Sequence, residues 1–305
     1  MRKLDLGKSG LEGSVISLGC MRISSLSDQE VDELLAAAWD SGIDFYDHAD
    51  IYGGGRSEEV FAGALSRTSI RREEILIQSK CGIRKGMFDF SRDHILAAVE
   101  GSLRRLQTDY LDVLLLHRPD TLVEPEEVAD AFSQLHRAGK VRHFGVSNMN
   151  PGQIELLRRH VEQPLIANQL QLSLTNTGMI DAGFNVNMEI DPSIVRDGGI
   201  LEYCRLHDIT IQPWSPFQYG FFEGVFLGND KFPELNRAID AMAADKGVTN
   251  SAIAVAWLLR HPAKMQPILG TTQPQRVREI ARAAQVEMTR EEWYRLYLAA
   301  GNKLP

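Results

Sequence analysis

Aspartate, tyrosine, lysine and histidine stand at four places in this chain where short apolar runs end. Asp47 follows the run 43–46, with Tyr52 five residues later. Lys80 comes just after 75–77, and His117 directly after 113–116. A free tyrosine loses its proton only near pH 10 and is a poor acid or base at neutrality. A nearby ammonium such as Lys80 lowers that value by about 1–3 units. Asp47 would keep the lysine charged and aimed, and His117 would orient a carbonyl oxygen by hydrogen bonding. Together the four suit polarising and protonating a carbonyl while another agent delivers a hydride. Each has a structural alternative: an Asp47–Lys80 ion pair, a core His117, an amphipathic loop Tyr52. Taken singly those alternatives are preferable, because structural ion pairs also perturb titrating groups. Four such residues at strand ends reverse the preference.

The elements that must bring them together are visible as a rhythm. Apolar runs at 15–18, 43–46, 75–77, 113–116, 141–146, 165–170, 209–212 and 265–269 read as eight strands, the sixth and eighth being the weakest. Several lack apolar/polar alternation, as parallel strands covered on both faces do. Helical patterns lie between them. Ser27 with Glu30 has capping-box spacing before 28–41, and Gly42 follows as a stop. Ser91 precedes 92–106, proline opens 125–138, and Asn150-Pro151 opens the next helix. Later helices are expected at 200–207, 233–246, 250–261, 274–284 and 291–300. Residues 1–14, with Gly7 and Gly10, read as a hairpin before the first strand.

Repeated strand–helix units fit a closed barrel or a doubly wound open sheet. The open-sheet dinucleotide binder carries G-x-G-x-x-G after an early strand. Here Gly19-Cys20-Met21-Arg22 follows the first strand, and Gly53-Gly54-Gly55 misses the spacing. The expectation is therefore a (β/α)8 barrel with an N-terminal β-hairpin and extra C-terminal helices, residues 1–305 forming a single domain. In such a barrel the C-terminal strand ends converge on one mouth, which places Asp47, Tyr52, Lys80 and His117 in one site.

Composition narrows the class. Apolar residues make up 44% and charged residues 24%, an ordinary globular balance. A net charge of −8 argues against nucleic-acid or anionic-membrane partners, without forbidding a local basic pocket. Cys20, Cys81 and Cys204 form no C-x-x-C pair and read as reduced thiols. Neither a signal-peptide core nor a membrane-length apolar stretch is present, so a cytoplasmic location is expected. Metal-dependent hydrolysis, the other chemistry a histidine-bearing barrel raises, would use His48 between Asp47 and Asp50. Asp47 and His48 point opposite ways on an extended segment, which makes that reading the weaker one.

The segments Tyr46-Asp47-His48-Ala49-Asp50-Ile51-Tyr52-Gly53, Ile77-Gln78-Ser79-Lys80, Leu115-Leu116-His117-Arg118-Pro119-Asp120 and Gly145-Val146-Ser147-Asn148 resemble signatures of the aldo-keto reductases, in the right order. Asn168-Gln169 and Gly270-Thr271-Thr272-Gln273-Pro274-Gln275-Arg276 extend the resemblance over essentially the whole chain. The resemblance implies that Asp47, Tyr52, Lys80 and His117 form the catalytic tetrad, with Tyr52 as general acid. It implies that Ser147, Asn148 and Gln169 hydrogen-bond a nicotinamide carboxamide; the structural alternative for Ser147-Asn148 is a cap ahead of Pro151. Trp214 stands where the family often has a stacking tyrosine, and an indole offers the same flat surface. Ser215, Met21 and the loop 217–228 join the cofactor set. Gly270 stands where many members have a lysine for the cofactor's 2′-phosphate. Thr271, Thr272, Gln273 and Arg276, at a proline-started helix, can take that role, and Glu279 is the candidate for the adenine amino group. The resemblance thus implies NADPH rather than NADH, and a small-molecule carbonyl substrate reduced to an alcohol. A cofactor-sensing regulatory subunit with slow turnover is the alternative. Substrate contacts are expected from 21–24, 82–90 and 172–197, with Phe88, Phe90 and Met179 as apolar lining.

Overall fold

A computed structural model describes residues 1–305, and in it eight parallel strands close a barrel in sequence order. They are β1 (Ser17–Gly19), β2 (Phe45–Asp47), β3 (Leu76–Cys81), β4 (Leu111–Leu116), β5 (Val141–Ser147), β6 (Leu165–Gln171), β7 (Thr210–Trp214) and β8 (Ile268–Leu269). β8 pairs with β1 through Ile268↔Ser17 and Leu269↔Leu18. Between β7 and β8 the gap is bridged by the Gln266 N–H, which donates to the Ile211 carbonyl at 3.0 Å. All eight expected strands are present. The sixth, expected to be weak, runs seven residues and carries a register shift; the eighth has only two.

Around the barrel lie α1 (Asp28–Asp40), α2 (Arg56–Ser66), α3 (Arg92–Leu106), α4 (Pro125–Arg137), α5 (Pro151–Arg158), α6 (Gly178–Phe184), α7 (Ile200–Leu206), α8 (Pro233–Lys246), α9 (Asn250–Arg260), α10 (Pro274–Ala281) and α11 (Arg290–Ala299). Ser27 and Glu30 make the expected capping box, satisfying two otherwise orphaned donors. Expected helix ends move by a residue or two, except that the helix at 274 stops at Ala281 and tightens into a 3-10 turn through Gln285. Two helices went unread in the sequence. α2 opens behind Gly53, Gly54 and Gly55, all with positive φ and no capping side chain. α6 lies within the stretch 172–197 that reads as a loop.

The strand period of two explains the interior. Phe45, Val113, Leu115, Ile166 and Ala167 form an apolar cluster within the barrel, joined from below by Leu6 of the N-terminal hairpin Lys3–Leu6/Leu11–Ser14. The hairpin turn lies directly against β6: a Cβ on Gly7, whose φ is +59°, would come within 2.6 Å of Ile166 Cα. Asp47 stands two residues beyond Phe45, and His117 two beyond Leu115. Lys80, Ser147 and Trp214 likewise stand two beyond Gln78, Gly145 and Gln212. An apolar plug below thus sets a polar tier above it at the mouth. No helix is long and apolar enough to cross a membrane.

Candidate active site

Lys80 is fully buried, and its Nζ satisfies all three donors within the chain. It donates to Asp47 Oδ2 at 2.8 Å, the His48 carbonyl at 2.8 Å and the Tyr52 hydroxyl at 3.0 Å. Burial presses the ammonium toward neutrality, but Asp47 and Tyr52 outweigh it and hold the lysine above its ordinary pKa. The expectation for Tyr52 is corrected in direction. Burial raises its pKa more than Lys80 lowers it, so the phenol stays protonated at neutral pH.

Asp47's second oxygen is held by a layer that sequence reasoning missed. Oδ1 accepts from Gln78 Nε2 at 2.6 Å and Gln169 Nε2 at 3.0 Å. Gln212 Oε1 accepts from the same two amides, and Gln212 Nε2 reaches Gln266 Oε1 at 2.8 Å. Gln266 Nε2 closes the chain on the Ser14 carbonyl at 2.7 Å. Four buried amides therefore run from the hairpin to the site, each partnered as burial demands. The signal was a glutamine at an inward strand position, as Gln78 and Gln212 are.

His117 lies edge-on to the Tyr52 ring, with centroids 5.9 Å apart. Burial, then the charges of Lys80 and Arg118, push it down to about 2, so it is neutral at any working pH. Its Nδ1 is sealed and without a partner, which leaves Nε2 as the ring nitrogen that reaches the cavity. His48 points away from Asp47, as the extended backbone requires, and packs edge-on against Phe61 at 4.6 Å.

Asp50 donates its backbone N–H to the Lys80 carbonyl at 3.0 Å. Burial, then the Glu58 carboxylate, push the Asp50 carboxyl up to about 7 from an ordinary 3.8. Folding therefore takes up a proton between those values, and stability falls as pH rises from about 4 to 7. Asp50→Asn is expected to raise the Tm by about 2–4 °C at pH 8 and to leave it unchanged at pH 4, read by calorimetry. An equal gain at both pH values would tie the effect to packing.

The mouth opens into a cavity of about 590 Å³. Met21, Asp47, Tyr52, His117, Ser147, Asn148, Gln169, Trp214, Ser215, Thr271, Thr272, Gln273 and Arg276 all line it. Lys80 lies behind Asp47 and Tyr52. Glu279 does not reach the cavity; on α10 it accepts from Gln275 Nε2 at 2.9 Å. The capping alternative for Asn148 is also resolved. Asn150 caps α5 with Gln153, while Asn148 sits at φ +58°. Its Nδ2 donates to Ser147 Oγ at 2.8 Å, and its Oδ1 accepts from the Trp214 indole at 3.0 Å. Gln169 Oε1 accepts nothing from within the chain. Phe222, from the loop after β7, stacks on Trp214 with centroids 5.8 Å apart.

The expected apolar lining is corrected. Phe90 is buried against Gly82, Phe88 is an exposed residue of a small hairpin, and Met179 lies on α6 outside the cavity. Ile51, Ile83, Phe217, Phe222 and Val225 take that place; Arg22 lines the cavity from the expected segment 21–24, and Arg118 lines it unforeseen.

A sequence profile for the aldo/keto reductase family matches residues 15–298. The chain is 34% identical over 313 residues to an uncharacterized oxidoreductase, YcsN, of Bacillus subtilis, covering 98% of each chain. It is 35% identical over 307 residues to a 6-dehydroglucose reductase of Agrobacterium fabrum, covering 96% of each. Among solved structures, it is similar to the thermostable aldo-keto reductase Tm1743 in complex with the inhibitor epalrestat. The TM-score there is 0.80 at 28% identity, covering 98% of this chain and 100% of that one. With the barrel, the mouth and these relatives in agreement, the chain is an oxidoreductase belonging to the aldo/keto reductase family.

Proposed function

We propose that this protein reduces an aldehyde or ketone to the alcohol with NADPH, Tyr52 acting as the general acid. The observation that carries the reading is Lys80 Nζ bonded at once to Asp47 and to the Tyr52 hydroxyl, at the floor of a cavity that His117 also lines. When bound, the dihydronicotinamide supplies a hydride to the carbonyl carbon. The Tyr52 hydroxyl donates its proton to the carbonyl oxygen as negative charge develops there. Lys80, 3.0 Å away, stabilises the phenolate this leaves, and Asp47 keeps the ammonium charged and aimed. His117 Nε2–H hydrogen-bonds the same oxygen and orients it.

The cavity's own donors fit the cofactor. Gln169 Oε1, free of internal partners, can accept from a carboxamide, with Ser147 and Asn148 beside it. Trp214 offers a flat wall fixed by its bond to Asn148. Arg276 has no carboxylate partner and stands on the first turn of α10, a turn without acidic residues, near Thr271 and Thr272. A guanidinium at a helix N-terminus suits the 2′-phosphate that distinguishes NADPH. Arg276→Ala is expected to raise the Kd for NADPH by about 10–100-fold in a fluorescence titration, and the Kd for NADH far less. Equal loss on both would place the arginine on the part the cofactors share.

NADPH binding by fluorescence, followed by its oxidation with 4-nitrobenzaldehyde, tests the reading as a whole. Binding with turnover supports it. Tight binding without turnover on any carbonyl would favour a cofactor sensor, and failure to bind either nicotinamide cofactor would overturn it.

A further inference from the structure

The protein gives its part-buried arginines carboxylate partners, with two exceptions. Arg72 reaches Asp112 at 2.7 Å, Arg105 reaches Glu58 at 2.7 Å, and Arg92 pairs with Asp130. Arg118 and Arg276 are the part-buried arginines that make neither an ion pair nor a hydrogen bond within the chain, and both line the cavity. Arg276 is on the β8 side, where the phosphate is placed. Arg118 directly follows His117 at the end of β4, four strands away, diametrically across an eight-stranded mouth. It therefore lies beside the proton donor rather than near the phosphate end.

Its surroundings supply nothing to neutralise it. The charged residues lining the cavity are Asp47, Arg22, Arg118 and Arg276, and Asp47 is already committed to Lys80, Gln78 and Gln169. The Arg118 guanidinium carbon stands 5.7 Å from the centre of the Trp214 ring. Ile51 and Ile83 add apolar wall. Burial holds its pKa below the ordinary arginine value, although a guanidinium remains charged. A desolvated cation without a partner is costly, and the cost is relieved when an anion arrives. In a chain of net charge −8 such a site is a local exception to a field that repels acids.

We infer that Arg118 is a specificity-determining residue that binds a carboxylate on the substrate, so that the preferred substrates are acidic carbonyl compounds: aldehydes or ketones whose chain also carries a carboxylate. A guanidinium fork matches a carboxylate bidentately and would fix the distance from the acid group to the reacting carbonyl beneath Tyr52 and His117. The inference rests on the reductase reading above and narrows its substrate class. Cation–π support of Trp214 is the competing role for Arg118, and it predicts the same effect on acidic and neutral substrates.

The test uses two matched pairs at saturating NADPH, 4-carboxybenzaldehyde against 4-nitrobenzaldehyde and 4-oxobutanoate against butanal. The nitro group activates an aldehyde more than a carboxylate does, so electronics run against the prediction in the first pair. Wild-type protein is expected to favour the acidic member of at least one pair by about 10-fold or more in kcat/KM. In Arg118→Gln that ratio is expected to collapse toward one, chiefly through KM, and Arg118→Lys is expected to recover part of it as a point charge. A wild type that prefers the neutral member of both pairs, or shows no preference, overturns the inference while leaving the reductase reading intact. Equal losses on both members in Arg118→Gln overturn it in favour of the Trp214 role. Absence of turnover with all four compounds overturns the reductase reading itself, and the inference with it.

Discussion

Tyr52→Phe is expected to lower kcat for 4-nitrobenzaldehyde by about 10²–10⁴-fold, the range a positioned general acid contributes, while NADPH still binds. The substitution removes one hydroxyl and the hydrogen bond that Lys80 Nζ gives it at 3.0 Å. The ring remains to fill the space beside His117, so the wall of the cavity persists. Because burial raises the tyrosine above its ordinary pKa, the wild-type reduction rate is expected to stay flat from about pH 6 to 9 and fall only where the phenol ionises. His117 adds no limb in that range, because burial and the charges of Lys80 and Arg118 hold its pKa far below it. Loss of activity near pH 7 that persists in Asp50→Asn, whose carboxyl otherwise titrates there, would assign the proton to another group. A Tyr52→Phe enzyme within a few-fold of wild type would do the same.

Lys80→Met is expected to damage activity and folding together. Catalysis loses the ammonium that stabilises the phenolate, and the Asp47 carboxylate is left buried with only amide donors. Stranding one member of a buried ion pair costs about 3–5 kcal/mol, measured by urea or thermal unfolding. Asp47→Asn in the same chain removes the stranded charge, and the double variant is expected to regain much of that stability without regaining activity. Recovery of both would mean that the pair serves folding alone. Additive losses of stability would show that the two side chains do not interact as the 2.8 Å contact requires.

The convergence of Asp47, Tyr52, Lys80 and His117 was legible because its signals are local. Apolar runs that end in Asp47, Lys80 and His117 announce strand ends, and a barrel brings all strand ends to one mouth. Two-residue alternation then aims each side chain inward beyond an apolar plug. Properties that emerge only on closure were not legible. Gln78, Gln169 and Gln212 lie on three strands and Gln266 just ahead of a fourth, and they become one amide layer only when those strands face each other across the interior. Burial of Tyr52 decides the direction of its pKa shift, and burial depends on loops distant in sequence. α2 hides behind three left-handed glycines and lacks a capping side chain, the usual mark of a helix start. Arg118 reads in the sequence as an ordinary charge beside His117; its want of a partner is a fact of the folded surroundings. Glu279, which the family resemblance assigns to the adenine, lies on α10 outside the lining of the cavity, a placement the sequence does not show.

Transfer of label from cofactor to product tests the central claim most directly. 4-Nitrobenzaldehyde is incubated with the protein and NADPH carrying deuterium on one face of the nicotinamide C4, and the alcohol is examined by NMR and mass spectrometry. The account predicts one alcohol formed per NADPH oxidised. It also predicts deuterium on the carbinol carbon from one face of the ring and not from the other, because the contacts proposed for Ser147, Asn148, Gln169 and Trp214 would hold a single face toward the substrate. Alcohol free of deuterium with either labelled cofactor, or NADPH bound without any alcohol formed, would contradict it.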